Sequence, residues 1–68
     1  MIIYTKQCLC QSRDKTRLQD LKRQYDIVEV KIVNRSKLWQ EEAEKYNAQY
    51  PFYVVDEVVY PFYDWMQV

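Results

Sequence analysis

The sequence predicts a small α/β protein in the order β-α-β-α-β-β, with a mixed four-stranded sheet. Three observations predict this class: short strand-like apolar segments, two segments with helical spacing between them, and two adjacent strand-like runs near the end. Strands linked through a helix pair in parallel, whereas strands joined by a tight turn pair antiparallel. We expect residues 1–68 to form one domain.

The first strand is predicted over residues 1–5, because MIIYT is rich in β-branched and aromatic side chains. Its nearly continuous apolar character is typical of a strand covered on both faces. A helix is predicted over Ser12–Gln24, with Ser12 as the N-cap and Asp14 favourably placed in the first turn. At helical spacing along it lie three apolar side chains: Leu18, Leu21 and Tyr25.

The second strand is predicted over residues 27–33, IVEVKIV, where Glu29 and Lys31 alternate with apolar side chains. Either Asn34 or Ser36 is expected to cap the second helix. The expected buried stripe of that helix consists of Leu38, Trp39, Ala43 and Tyr46.

The last two strands are predicted over residues 52–55 and 58–60, separated by the dipeptide Asp56-Glu57. This spacing indicates a β-hairpin with a two-residue turn. The chain contains no glycine, so the turn forms without the residue that such turns prefer. Pro51 and Pro61 bracket the hairpin, at positions where a strand tolerates proline.

Charge and length exclude several classes of function. Ten basic and ten acidic side chains cancel, and no basic run exceeds two residues, so we expect neither a nucleic-acid-binding nor a membrane-binding surface. No apolar run approaches the ~20 residues that span a bilayer, and the first residues lack signal-peptide features. We expect a cytoplasmic protein. In that compartment, two close cysteines are more typical of catalysis, redox sensing or metal binding than of structural disulfides.

Both cysteines lie in the segment TKQCLCQS, where one residue separates Cys8 from Cys10. They follow the first predicted strand and precede the first helix, whose N-terminus stabilises a thiolate; Lys6 and Arg13 add positive charge. The thiolate is the species that attacks a disulfide, so this position favours an exchange nucleophile. Two small buried residues in a turn are one alternative. Another is a metal bridging two chains, because histidine is absent and two thiols cannot complete a zinc site alone.

This succession of segments resembles the glutaredoxins and, more broadly, the thioredoxin fold in its smallest form. The family's strand ending in Thr-Lys and its CPYC-type motif are matched by Thr5, Lys6, Cys8 and Cys10. Its Thr-Val-Pro segment with a cis proline is matched by Gln49, Tyr50 and Pro51. Its Gly-Gly-Phe-Asp segment is matched loosely by Tyr60, Pro61, Phe62 and Tyr63, with Asp64 one place later.

The sequence also departs from the family. Its motif is Cys-x-Cys instead of Cys-x-x-Cys or Cys-x-x-Ser, and the usual C-terminal helix is reduced to residues 63–68. Both glycines that follow the fourth strand in the family are missing. The family uses the backbone of that segment to hold the γ-glutamyl carboxylate of glutathione. The resemblance therefore supports the fold more strongly than it supports glutathione binding.

The resemblance implies a thiol–disulfide oxidoreductase that reduces protein or glutathione mixed disulfides. Cys8 is the expected nucleophile and Cys10 the resolving thiol, although counting back from the second strand places the family's first cysteine on Cys10 equally well. The implied substrate-binding residues are Lys6, Tyr50, Pro51 and Asp64. We expect a cis bond before Pro51 and a trans bond before Pro61. No permanently bound cofactor is expected, and glutathione is the implied reductant. The implied protein partner is an enzyme such as a ribonucleotide reductase, which small members of the family often reduce.

Two other functions stay open. A redox-inactive thioredoxin-fold module would bind a protein through a surface of exposed rings. The aromatic residues in question are Tyr50, Tyr60, Phe62, Tyr63 and Trp65, and the opposing interpretation is that they pack in place of the missing helix. An iron–sulfur carrier would instead hold one cluster between two chains and two glutathiones.

The spacing of the cysteines predicts an oxidising pair. A disulfide across one residue closes a small ring, which leaves little freedom to reach the geometry of ordinary disulfides. Strain raises the reduction potential, and thiolate stabilisation at the helix N-terminus favours the reduced form too. We expect a midpoint between about −230 and −180 mV, above the thioredoxin value of about −270 mV. Equilibration in graded glutathione buffers measures it, and a midpoint well below about −270 mV would contradict the strain argument.

Overall fold

The computed structural model describes residues 1–63. Its elements are β1 Ile2–Thr5, α1 Ser12–Gln24, β2 Glu29–Ile32, a 3-10 helix Val33–Arg35, α2 Lys37–Glu44, β3 Phe52–Val55 and β4 Val58–Pro61. The four strands form one mixed sheet in the order β2-β1-β3-β4, which confirms the predicted α/β class with two helices. Residues 64–68, which include the predicted site residue Asp64 as well as Trp65, lie outside the described residues.

Strand β1 occupies the interior of the sheet and is paired along both edges. It runs parallel to β2, with Ile2 opposite Glu29, and antiparallel to β3, with Tyr4 opposite Phe52. Successive side chains of a strand point to opposite faces. Ile3 and Tyr4 therefore enter different core clusters and are both buried, as the apolar first strand predicted.

The core consists of one apolar cluster on each face of the sheet. The α1 cluster is built from Ile3, Leu21, Tyr53 and Phe62. The α2 cluster is built from Tyr4, Val33, Ala43, Phe52 and Val54. Each cluster contains side chains from one helix and from alternate positions of β1 and β3, so the two helices cover opposite faces of the sheet.

Helix α1 has the predicted bounds and the predicted apolar stripe. Leu21 is fully buried, while Leu18 and Tyr25 are half-buried against the α1 cluster. The predicted N-cap is wrong by one residue. Gln11 precedes the helix in an extended conformation without a side-chain cap, and its carbonyl accepts the Lys15 N–H at 3.0 Å. Backbone geometry alone therefore starts this helix.

Strand β2 is shorter than the predicted span of residues 27–33. The β1–β2 ladder pairs Ile2–Thr5 with Glu29–Ile32, so β2 covers four residues. Just before it, the Met1 carbonyl accepts the Glu29 N–H at 3.1 Å, and the Met1 ammonium donates to the Ile27 carbonyl at 2.9 Å. Ile27 lies before that ladder and is 76% exposed. Val33 lies after it, turns into the 3-10 helix and is buried in the α2 cluster.

Helix α2 begins behind the predicted cap. The Ser36 hydroxyl accepts the Trp39 N–H at 3.4 Å, so of the two candidate caps Ser36 is confirmed and Asn34 is not. The predicted stripe is wrong at Leu38, which is 63% exposed because the buried face follows Trp39 and Ala43. In residues 1–63, neither helix has the length and apolar character that crossing a bilayer requires.

The β3–β4 hairpin turns at Asp56 and Glu57, which have φ angles of 50° and 66°. Positive φ at both central residues is the requirement of a type I′ turn, whose twist matches the flanking strands. A residue with a Cβ pays roughly 1–2 kcal/mol for this conformation. The pairing of Val55 with Val58 and of Val54 with Val59 offsets that cost.

We predict that Glu57→Gly stabilises the protein. Removing the Cβ relieves the left-handed backbone, while the extra freedom of glycine in the unfolded chain cancels part of the gain. The expected increase in the free energy of unfolding is about 1 kcal/mol. Urea unfolding measures it, and Glu57→Ala is the matched control because it removes the charge but keeps the Cβ. Equal stability of the two variants would contradict the conformational explanation.

A polar cluster crosses the face of the sheet that α2 covers. The Lys31 ammonium donates to Glu42 Oε2 at 2.9 Å, and the Tyr4 hydroxyl lies 3.5 Å from the same oxygen. The bond to Glu42 raises the pKa of Lys31. Burial, as the largest cause, raises the pKa of Tyr4. The Lys31 side chain is therefore partly buried on this face of the sheet.

These raised pKa values predict a loss of stability at alkaline pH. Both groups hold their protons more tightly in the folded chain, so their contribution is complete below about pH 10 and is lost as the pH rises through the folded-state values. Tyr4→Phe keeps the ring and removes one titration, so its urea midpoint should fall less steeply above about pH 10. The same slope in Tyr4→Phe and in the parent would contradict this explanation.

Candidate functional site

Three chain segments meet at one end of the sheet. Because β1 and β3 are antiparallel, the chain leaving Thr5 passes beside the chain entering Phe52. Strand β4 is antiparallel to β3, with Pro61 opposite Phe52, so its C-terminal end lies there too. The cysteine loop, the segment before β3 and the segment after β4 are thereby brought together by topology alone.

The cysteine loop, residues 6–11, is held by side chains of neighbouring elements. The Thr5 hydroxyl donates to the Gln7 carbonyl at 2.8 Å, and the Asn34 side-chain amide donates to the Lys6 carbonyl at 2.8 Å. Leu9 is half-buried and packs against the α1 cluster. Each of these contacts fixes the backbone close to a cysteine.

Cys8 and Cys10 are joined by a disulfide, with their Cα atoms 5.4 Å apart. This Cα separation lies within the range of ordinary disulfides. Both residues are exposed, which makes the sulfurs accessible and rules out the alternative of two small buried residues in a turn. Helix α1 begins two residues after Cys10, as the sequence predicted. In residues 1–63, no three side chains of the cysteine and carboxylate types converge as metal ligands.

An open cleft of about 290 Å³ lies beside the disulfide. Its walls are formed by Thr5, Lys6, Gln7, Cys8, Leu9, Gln11, Arg13, Asp14, Tyr50, Pro51 and Tyr63. Four of the six predicted site residues are therefore brought together: Lys6, Cys8, Tyr50 and Pro51. Cys10 is bonded to Cys8 but is not among the residues of the cleft wall, and Asp64 lies outside the described residues.

The Tyr50–Pro51 peptide bond is cis, as predicted, and the bond before Pro61 is trans. The Pro51 carbonyl accepts the Phe62 N–H at 3.2 Å, which joins the segment before β3 to the segment after β4. The Phe62 carbonyl in turn accepts from Arg17 Nε of α1 at 2.6 Å. Both backbone polar groups of Phe62 are thus used inside the protein.

Two cations line the cleft, and each lies over a tyrosine ring. Lys6 Nζ is 5.3 Å from the centre of the Tyr50 ring, and the Arg13 guanidinium is 5.5 Å from that of Tyr63. These distances are typical of cation–π contacts. Burial raises the pKa of Tyr50, and the Glu44 carboxylate acts in the same direction, so its hydroxyl stays protonated at neutral pH. With the Asp14 carboxylate also in the wall, two cations and one anion line the cleft that contains Cys8. A net positive charge near a cysteine favours its thiolate after reduction.

The aromatic residues near the site pack inside the protein more than they project from it. Phe62 is fully buried, Tyr50 lies 5.4 Å from Phe52, and Tyr63 is half-buried with its ring 4.9 Å from Phe62. Only Tyr60 of these is exposed, at 40%, and it stacks on Tyr53. Among the described residues, these rings therefore agree with the packing interpretation more than with an exposed aromatic surface; Trp65 lies outside them.

No protein-family model, curated protein or solved structure matches the chain. The geometry of the cleft is therefore the basis for assigning a function.

Seven of the eleven residues in the cleft wall were not predicted as site residues, and Arg13, Asp14 and Leu9 are three of them. Arg13 was recognised only as a charge near the cysteines, and its contact with Tyr63 depends on the end of β4. Asp14 was expected in the first helical turn. Its burial, with 9% of the residue exposed, and its place in the cleft wall were not expected. Leu9 carries a signal that could have been used, since it is the one apolar residue in the polar segment around the cysteines.

Proposed function

We propose that this protein is a glutaredoxin-like thiol–disulfide oxidoreductase built on a minimal thioredoxin-like fold. The observation that carries the proposal is the accessible Cys8–Cys10 disulfide, whose Cys8 lines the same cleft as the cis Pro51. The mixed sheet, with the cysteines between β1 and α1 and the cis proline before β3, is what the resemblance implies for this fold.

The proposed reaction begins with the reduced protein. The Cys8 thiolate attacks one sulfur of a substrate disulfide, forms a mixed disulfide and releases the other sulfur as a thiolate. Cys10, after giving up its proton to solvent, attacks Cys8 and releases the second substrate thiolate. One substrate disulfide is reduced by two electrons, and Cys8 and Cys10 are oxidised to the disulfide. A low-molecular-weight thiol, for which glutathione is the leading candidate, returns the pair to the dithiol.

Cys8 is the better candidate for the nucleophile. It lines the cleft where a substrate disulfide would enter, whereas Cys10 does not. Lys6 and Arg13 outnumber the single carboxylate, Asp14, in the wall of the same cleft, and a net positive charge favours the ionised form of Cys8. Cys10, two residues away and exposed, is placed to resolve the mixed disulfide from the outer side.

The backbone after β4 favours protein disulfides over glutathione mixed disulfides as substrates. The family holds the γ-glutamyl carboxylate of glutathione with backbone groups at that position. Here the Phe62 N–H donates to Pro51 and the Phe62 carbonyl accepts from Arg17. Tyr60 and Pro61 stand where the family has its two glycines. A ribonucleotide reductase remains the partner that the resemblance proposes, with glutathione as reductant.

Serine substitutions test the assignment of the two thiols. With glutathione and its reductase as the reducing system, the parent protein should reduce a peptide disulfide, and Cys8→Ser should abolish turnover because no mixed disulfide can form. Cys10→Ser should lose turnover of the protein disulfide and accumulate a mixed disulfide on Cys8, which intact-mass spectrometry detects.

The outcomes separate the alternatives. Trapping on Cys10 in the Cys8→Ser variant would move the nucleophile to Cys10 and leave the reaction class intact. Turnover that survives in both single variants, or a parent protein that is inactive with both peptide and glutathione mixed disulfides, would contradict the proposed oxidoreductase.

A further inference from the structure

Leu9 differs sharply from the two residues beside it. Cys8 and Cys10 are exposed, whereas Leu9 is half-buried and packs against the α1 cluster. That cluster includes Ile3 and Leu21, both fully buried. The three-residue segment is therefore tied to the core at its centre and open to solvent at both ends.

We propose that Leu9 is a positioning residue that sets the dithiol–disulfide equilibrium of Cys8 and Cys10 through its packing in the core. The inference rests on the proposed function for its purpose, since it concerns the redox couple that the proposed reaction uses. A side chain in the core would thus influence the redox equilibrium of two exposed thiols.

The geometry explains how one side chain reaches both sulfurs. Leu9 belongs to the backbone segment that joins the two cysteine Cα atoms, which lie 5.4 Å apart. Inserting its side chain into the α1 cluster fixes the direction of that segment and turns both neighbouring side chains outward. Hydrogen bonds to the carbonyls of Lys6 and Gln7 hold the chain on the N-terminal side, and α1 holds it on the other.

The sign of the effect follows from conformational freedom. In the oxidised protein, the small covalent ring already restricts residues 8–10, so loosening Leu9 gives them little additional freedom. In the dithiol no ring exists, and Leu9 is then the restraint that keeps the two thiols close. Removing that restraint stabilises the dithiol by entropy more than it stabilises the disulfide. Loss of Leu9 packing should therefore shift the equilibrium toward the reduced form.

The test is an equilibrium between the protein and glutathione. The disulfide and two glutathione molecules give the dithiol and one glutathione disulfide, and acid quenching followed by thiol alkylation measures the ratio of the two protein forms. We expect Leu9→Ala to favour the dithiol about tenfold, which corresponds to a rise in midpoint potential of about 30 mV for this two-electron couple. Leu9→Met, which conserves volume, should restore most of the parent equilibrium.

Leu18→Ala is the matched control. Leu18 is also half-buried against the α1 cluster, but it lies in α1 and away from the cysteines in sequence. Both alanine variants should lower the urea midpoint, whereas only Leu9→Ala should shift the glutathione equilibrium. In urea concentrated enough to unfold the chain, Leu9→Ala and the parent should have the same equilibrium, because the core contact is then absent from both.

Three results would overturn the inference. They are an unchanged equilibrium in Leu9→Ala, equal shifts in Leu9→Ala and Leu18→Ala, and a shift that persists in the unfolded chain. If Leu9→Ala does not fold, the comparison of Leu9→Met and Leu9→Val with the parent decides, since both retain most of the packing and should give graded shifts. No substrate enters these measurements, so a failure of the proposed oxidoreductase activity would be seen separately in the turnover assay.

Discussion

The double-sided pairing of β1 is the constraint on which the rest of the structure depends. Ile2–Thr5 pairs with β2 along one edge, and its first three residues pair with β3 along the other, so the strand lies inside the sheet. Its successive side chains enter different core clusters, and one helix packs against each cluster. A four-residue strand thereby fixes the positions of both helices.

The same strand determines where chemistry can occur. A parallel partner on one side requires a crossover helix, so the chain must leave β1 through a loop that rises into α1, and that loop holds the cysteines. An antiparallel partner on the other side returns the chain entering β3 to the same end of the sheet. Cys8 and Pro51 therefore face one cleft although more than forty residues separate them in sequence.

Local patterns in the sequence predicted what local physics decides. The apolar spacing gave the bounds of α1, Ser36 was identified as a cap, and the Asp56-Glu57 dipeptide was placed in the hairpin turn. Errors occurred where a partner distant in sequence decides. The extent of β2 depends on its pairing with β1, and the exposure of Leu38 depends on which face of α2 meets the sheet.

The candidate site divides in the same way. Cys8, Lys6 and Pro51 were predictable because the resemblance assigns roles to them, and the cleft contains all three. The contact of Arg13 with Tyr63 and the engagement of Phe62 by Arg17 join segments that only the folded sheet brings together. No sequence pattern within either segment predicts these contacts. These contacts also distinguish this cleft from that of the family that the chain resembles, because the chain has no glycine after its fourth strand.

In a protein of this size, several residues of the site also pack against the core. A chain of about this length buries only about 60% of the surface that it exposes when unfolded, so few side chains are left to support a site without also supporting the fold. Tyr50 holds Lys6 while packing on Phe52, and Tyr63 holds Arg13 while packing on the buried Phe62. The two cations of the cleft wall are therefore positioned by rings that pack against the core. Rearrangement of the core would move these charges relative to Cys8, which links the stability of this fold to the reactivity of its thiols.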